Sequence, residues 1–325
     1  MKNVLDEHVT AQDFEREPGT GPANRRSVPL TEMTTRTEPE SRPRSLKAED
    51  GAAALRVSFV GAGTMAEAIA RGLIARGVVE ASNVVASAPR PERRGYLAET
   101  YGLRAVADNA TAVRNADVVL LCVKPQTIPQ VLPELRQALN PRQLVISIAA
   151  GVSLSMLEKE SYHPAIVRSM PNTPVNVGEG MTVWVASRAV TPAQIAQTRA
   201  IFSALGHEMQ VGAESFLDMA TSISGCGPAY LFLVMEALTD AGVQIGLPRY
   251  MSEELVLQTI LGSARLAQES KRHPAALKNA VTSPGGTAAA ALYQLEKGGL
   301  RPTMADAVMA AFDRARALGG DGGTT

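Results

Sequence analysis

Residues 55–75, LRVSFVGAGTMAEAIARGLIA, restrict the fold of this chain more than any other stretch. Residues 55–60 are short, apolar and partly β-branched, which predicts a buried strand. Gly61, Gly63 and Ala66 follow as GxGxxA, and a helix-like run comes directly after. Gly61 permits a tight turn, and Gly63 lets the backbone approach a pyrophosphate. Ala66 lets the helix lie close to the strand. The helix N-terminus offers free N–H donors to phosphate oxygens. Such a fingerprint is a weak signal alone. Between a strand and a helix it predicts dinucleotide binding.

At 325 residues the chain has room for two domains. Its 32 basic and 32 acidic residues cancel, which argues against nucleic acid or a membrane surface as partner. Aromatic residues make up only 4%, which weakens any base-stacking function. Cys122 and Cys226 provide neither a disulfide framework nor zinc-ligand spacing, and no metal site is expected. There is no signal peptide and no apolar run of bilayer length, so the expected location is cytoplasmic.

Four segments are expected. Residues 1–54 carry Pro18, Pro22, Pro29, Pro39 and Pro43, mixed charge and no apolar period, which predicts a disordered extension. Arg25 and Arg26 leave a docking or targeting segment as the alternative reading. Residues 55–212 alternate strands and helices, as a dinucleotide-binding domain does, with later strands expected at 83–86, 103–105, 117–123, 144–148, 166–169, 182–186 and 208–211. Residues 213–320 have only helical periodicity, and 321–325 read as a flexible tail.

The second strand leads into SAPRPERR, residues 87–94, with no acid at the strand tip. A carboxylate there would hold a ribose 2′-hydroxyl and repel a 2′-phosphate. Ser87 can donate to such a phosphate and Arg90 can pair with it, so NADPH is the expected cofactor, with NADH possible. Glu92 offsets part of that field, and the simple reading of Arg93 and Arg94 is a solvated first helical turn. The fourth strand runs into Val123, Lys124 and Pro125, where ligands of open α/β sheets lie. Lys124 can contact cofactor or substrate there, with a solvated loop lysine as the alternative. Cys122 reads as a small buried apolar residue. The loop MPNTPVNVGEG, residues 170–180, suits either a ligand wall or a solvent turn.

In the helical part, residues 228–241 (PAYLFLVMEALTDA) lack a broad polar face, which predicts burial on all sides between subunits. Glu236 and Asp240 share a face without a histidine, so solvation or capping is preferred to a metal site. His207 and His273 read as surface or structural residues. Residues 222–230 and 281–290 both set glycines and hydroxyls before a helix. Such starts bind anions, while Ser224, Ser283 and Thr287 can equally act as ordinary caps. Two of them in one small domain point toward a carboxylate site.

Taken together, VGAGTMAEAI, CVKPQ, RSMPNTP with VGEG, SGCGPAY, DAGVQIGLPR, HPAALKNAVTSPGGT and LEKGGLR resemble the pyrroline-5-carboxylate reductase family in order and spacing, over residues 55–318. The resemblance implies an α/β Rossmann-type N-terminal domain with an all-helical C-terminal dimerisation domain. It implies NAD(P)H-dependent hydride transfer to C5 of 1-pyrroline-5-carboxylate, giving L-proline, the last step of proline biosynthesis. Gly61, Gly63, Thr64 and Met65 would wrap the pyrophosphate. Ser87 and Arg90 would lie at the adenosine end, Asn109 would touch the cofactor, and Val123, Lys124 and Pro125 would line the nicotinamide side. Ser224, Ser283, Gly285, Gly286 and Thr287 would meet the substrate, with Thr287 and Ser283 as the catalytic candidates. The partner would be a second copy of the chain, with dimers assembling further into a decamer.

The chain departs from the family pattern at two site positions. Cys226 replaces a serine, and Ala288 replaces a threonine able to donate to the substrate carboxylate. Loss of that bond to a charged group removes about 1.5–3 kcal/mol, with Thr287 or the Gly285 and Gly286 amides left to compensate. Ala88 and Pro89 also alter the usual polar or acidic tip of the second strand. The alternative reading is an NADP-dependent reductase of another small cyclic imine or oxo-acid. A more distant one is a nucleotide-binding structural or sensor protein without turnover.

Overall fold

The computed structural model describes residues 55–319. The extension expected over 1–54 and the tail over 321–325 lie outside the described residues. Eight strands form one sheet: β1 (Val57–Val60), β2 (Val84–Ser87), β3 (Arg104–Val106), β4 (Val118–Leu121), β5 (Leu144–Ser147), β6 (Ile166–Pro171), β7 (Gly180–Ala186) and β8 (Gly206–Gln210). Their order is β3-β2-β1-β4-β5-β6-β7-β8. The first six run parallel, β7 is antiparallel to β6, and β8 is parallel to β7.

The strands are apolar on both faces because helices cover both faces. Successive residues feed opposite layers: Val57, Phe59, Val118 and Leu120 face one core, and Val60, Val119 and Leu121 the other. The first core is closed by α1 (Thr64–Ala75), α2 (Pro91–Tyr101) and α6 (Pro192–Ser203). The second is closed by α3 (Asn109–Val113), α4 (Ile128–Leu135) and α5 (Leu154–Ser161). The strand expected over 117–123 stops at Leu121, and α4 ends at Leu135. The Ser153 and Thr191 caps are present, the latter as a full capping box with Gln194.

After β8 only helices follow: α7 (Ser215–Ala220), α8 (Gly227–Gln244), α9 (Arg249–Ser270), α10 (Pro274–Ala280), α11 (Thr287–Lys297) and α12 (Leu300–Leu318). The α/β domain and the all-helical domain are as the sequence predicts. One local expectation fails. Residues 222–230 are not an irregular lead into a helix; Thr221–Gly225 form a π turn that continues α7 into α8. The Cys226 N–H donates back to the Thr221 carbonyl, 2.8 Å away, so this segment has no free helix start. Asp240 is not merely solvated, since it pairs with Arg249 at 2.9 Å across the α8–α9 turn.

Arg168 of β6 fastens the helical part to the sheet. It is buried and pairs with Glu214 at 2.7 Å and Asp218 at 3.0 Å. Glu214 also accepts from the Leu154 N–H at the start of α5. At the far end of the chain, Leu318 comes back to Gly151 in the loop after β5. A Cβ on Gly151 would stand 2.9 Å from the Leu318 carbonyl carbon.

Helices α8 to α12 bury little within the chain. Thr239 is the buried residue of α8, Ser252 of α9 and Ala315 of α12, while α10 and α11 bury none. Phe232 and Leu233 on α8 are 63% and 65% exposed, and Leu255, Leu257 and Leu261 on α9 are exposed beside them in sequence pattern. So much uncovered apolar surface marks an interaction face. No helix among the described residues is long and apolar enough to cross a membrane.

Candidate active site

The site begins at the turn after β1. Gly61 has φ +90°, and a Cβ there would lie 2.6 Å from Val123 Cγ1 and 3.0 Å from the Val123 nitrogen. The protein itself therefore requires glycine at this position. Gly63 differs: its φ is −76°, and a Cβ would meet no protein atom within 4 Å. The loop is open to approach from outside at Gly63. Gly63 is also the N-cap of α1 and supplies no side-chain cap. By contrast, α3, α5 and α6 are capped by Asp108, Ser153 and Thr191. Thr64 and Met65 open α1, whose first-turn N–H donors have no side-chain cap among the described residues. This open, uncapped turn fits the pyrophosphate of a dinucleotide.

Ser87, at the end of β2, faces inward. Its hydroxyl accepts from the Gly61 N–H at 3.1 Å and donates to Asn109 Oδ1 at 2.7 Å. Asn109 donates onward to Glu134 at 2.9 Å. Ser87 thus belongs to a hydrogen-bonded link from the glycine turn to α3 and, through Asn109, to α4. Arg90 is exposed at the start of α2 and makes no ion pair among the described residues. Arg93 and Arg94 are not solvated as expected. Arg93 Nε donates to the Ala62 carbonyl at 2.8 Å and its guanidinium pairs with Glu67. Arg94 Nη1 donates to the carbonyls of Ala88 and Pro89, both at 2.8 Å.

Glu67 gathers three donors: Arg93, Tyr96 at 3.0 Å and Tyr101 at 2.7 Å. Burial pushes its pKa up, but the bonds from Tyr101, Arg93 and Tyr96 outweigh burial and hold the carboxyl below its ordinary range. Tyr101 shifts upward, first because of its bond to Glu67 and then because of burial. Nothing in residue spacing signals this cluster, because α1 and α2 meet only through the fold.

Parallel strands bring further residues to the same edge. Beyond β4, Val123 packs against Gly61, Lys124 is exposed, and Pro125 opens a short 3₁₀ turn, Pro125–Thr127. Cys122 packs against the core, and burial pushes its thiol well above the ordinary range, as suits an inert residue. Beyond β6, the side-chain amide of Asn172 donates to Ser224 Oγ at 3.2 Å and to the Ser224 carbonyl at 3.3 Å. Asn172 Oδ1 accepts from the Met181 N–H at 2.8 Å. The segment 170–180 is thus a built wall, with Thr173–Val177 forming a 3₁₀ turn and Val175 buried in the core against α1.

The second glycine-rich stretch does lead into a helix. Gly286 is the N-cap of α11, without a side-chain cap, and its N–H donates to the Ser283 carbonyl at 3.0 Å. Gly285 has φ +69°. Ser283 and Thr287 are exposed, and α11 packs on α12. Among the described residues, none of Ser283, Gly285, Gly286 and Thr287 hydrogen-bonds to the sheet half. One chain therefore joins Gly61, Ser87, Asn109 and Val123 by contact, and Ser224 to Asn172, but not the stretch 283–287.

Comparison with known proteins matches this division. Residues 214–318 match the family described as pyrroline-5-carboxylate reductase dimerisation, and residues 56–151 the one described as NADP oxidoreductase, coenzyme F420-dependent. The pyrroline-5-carboxylate reductase of Synechocystis is 46% identical over 265 residues, which is 82% of this chain and 98% of that protein. The chain belongs to the pyrroline-5-carboxylate reductase family. The solved pyrroline-5-carboxylate reductase of Coxiella burnetii is 38% identical with a TM-score of 0.77, covering 82% of this chain and 99% of that one. The Plasmodium falciparum pyrroline carboxylate reductase, solved with NADP bound, is 35% identical with a TM-score of 0.75, covering 82% and 98%. The part matching the family's dimerisation region is also the part whose apolar residues stand uncovered.

Proposed function

We propose that the edge carrying Gly61, Gly63, Val123 and Asn172 takes NADPH in preference to NADH, and that Ser283, Gly285, Gly286 and Thr287 meet the substrate carboxylate. The chain is an NAD(P)H-dependent oxidoreductase acting on a C=N bond; it reduces 1-pyrroline-5-carboxylate to L-proline, the last step of proline biosynthesis. When bound, the cofactor supplies the hydride. The N–H donors of Thr64 and Met65 bind the pyrophosphate, and the Gly61–Ser87–Asn109 chain holds their loop in place. Arg90, which makes no ion pair among the described residues, pairs with the 2′-phosphate. Val123, Lys124 and Pro125 line the nicotinamide side.

The imine arrives carrying its own proton, so no strong acid is required of the chain. Its residues orient and desolvate instead. Ser283 and Thr287 donate hydroxyl protons to the carboxylate beside the Gly285 and Gly286 amides. Ser224 supports the same pocket from its link to Asn172. The protein works as a homo-oligomer: a dimer through the helical domain of residues 213–320, with dimers assembling further into a decamer, in the cytoplasm. Residues 55–212 are the cofactor domain.

The observation that carries this reading is Gly63, a glycine that no protein atom requires, capping a helix that no side chain caps. The test is oxidation of NADPH and of NADH with 1-pyrroline-5-carboxylate, run beside an oxo-acid. Turnover of the imine, faster with NADPH, is expected. Absence of imine turnover with both cofactors rejects the reading.

A further inference from the structure

Arg93 is held in a way that a surface arginine of a helix start does not need. Its Nε donates to the Ala62 carbonyl at 2.8 Å, and Nη2 lies 3.5 Å from the Gly63 carbonyl. Nη2 also pairs with Glu67, and the guanidinium lies over the Tyr96 ring, 5.1 Å from its centroid. Glu67 in turn is held by the hydroxyls of Tyr96 and Tyr101. The cation is thus neutralised by its own carboxylate and directed at two backbone carbonyls of the glycine loop.

A planar trans peptide points its C=O and N–H in opposite directions. With the Ala62 carbonyl drawn toward α2, the Gly63 N–H is turned away from α2. The Gly63 carbonyl accepts from the Glu67 N–H at 3.0 Å within α1 and is approached by the same guanidinium. Both peptides flanking Gly63 are therefore fixed from behind.

We propose that Arg93 is a positioning residue for NADPH. It acts through the Ala62 and Gly63 carbonyls, and so sets the loop amides in the orientation that a pyrophosphate takes. Bidentate geometry matters here and net charge does not, because Glu67 cancels the charge. This inference rests on the dinucleotide reading above.

The test is direct titration of full-length protein with NADPH, followed by nicotinamide fluorescence, on wild type, Arg93→Lys and Arg93→Met. Both variants are expected to raise the NADPH Kd about tenfold, as loss of a charge-assisted bond would. The KM for the imine should move by less than about twofold, since cofactor and substrate contacts are separate. Lysine keeps the charge and the packed stem, so Arg93→Lys reads the geometry even if Arg93→Met folds poorly. A wild-type Kd in Arg93→Lys overturns the proposal, as does a wild-type Kd in a folded Arg93→Met. An equal rise in imine KM and NADPH Kd also overturns it. Wild-type protein that binds neither NADPH nor NADH instead defeats the dinucleotide reading.

Discussion

The amide of Asn172 donates to the Ser224 hydroxyl at 3.2 Å, joining the end of β6 to the π turn between α7 and α8. Because Ser224 Oγ accepts this bond, its own proton is left to donate elsewhere. Asn172→Ala removes the bonds to Ser224 and leaves the Met181 N–H without its acceptor, at a cost of about 1–3 kcal/mol. Asn172→Asp keeps the acceptor for Met181 but loses the donor to Ser224. It is expected to melt nearer wild type than the alanine variant while losing kcat/KM for the imine. Thermal melts and steady-state kinetics on both variants check this.

Gly61 and Gly63 are expected to separate stability from cofactor binding. Gly61→Ala meets Val123 and a positive φ, and should cost about 1–3 kcal/mol in urea unfolding. Gly63→Ala meets no protein atom and should unfold like wild type. Its NADPH Kd should rise by about tenfold or more, because the added methyl stands where the phosphate approaches. Equal unfolding losses in the two variants would refute this division.

The uncovered face of α8 yields a prediction about assembly. Phe232→Asp places a charge on a residue that is 63% exposed in one chain and is expected to be covered by the next. Light scattering after size exclusion should show a shift toward monomer. Imine turnover should fall with it, because, among the described residues, 283–287 make no hydrogen bond to the cofactor edge within one chain. NADPH binding should fall far less.

His163 gives the stability a pH dependence. It is 3% exposed, with Nε2 2.7 Å from the Gln143 carbonyl. Burial lowers its pKa below the usual 6.5, and the bond to Gln143 offsets only part of that. The unfolded chain then takes up this proton at higher pH than the folded one. Its contribution to stability is complete above the unfolded value and is lost as pH falls from there through the lower folded value, with a slope of at most about 1.4 kcal/mol per pH unit. Urea melts of wild type and His163→Gln at about pH 7.5 and about pH 5.5 should show a smaller pH effect in the variant.

Thr287→Ala is expected to raise the KM for the imine more than that for the cofactor, because the proposed site assigns its hydroxyl to the carboxylate and not to the nucleotide. Ala288→Thr restores a donor beside it and should lower the imine KM, by about tenfold if a full bond to a charged group is gained. Parallel shifts in both KM values would remove Thr287 from the substrate side.

Much of the fold was legible in the chain because its parallel strands are buried on both faces. Residues 118–121 and 144–147 are apolar or small at every position, and such runs survive without any periodicity argument. The glycine turn was legible because its demands are local. Other features depend on residues that meet only after folding. Ser87 carries the same hydroxyl whether it faces a phosphate or Asn109, and only packing against β1 decides. Arg93 reaches Glu67 across two helices, so its neighbours in sequence say nothing of its partner. The π turn escaped notice because Ser222–Cys226 have the composition of a cap, yet every residue stays right-handed and bonds backward. Helix α8 reads as buried on all sides, yet within one chain its apolar residues stand exposed, because its sequence pattern carries no sign of which surface would cover it.

The return of Leu318 to Gly151 bears on how the molecule is born. The ribosome releases the sheet strands long before the last helix exists. Until that helix emerges, the loop after β5 lacks this neighbour, while both cores of the sheet are built from residues that precede it. That neighbour of Gly151 can therefore be in place only after residue 318 has been synthesised, 167 residues later in the chain.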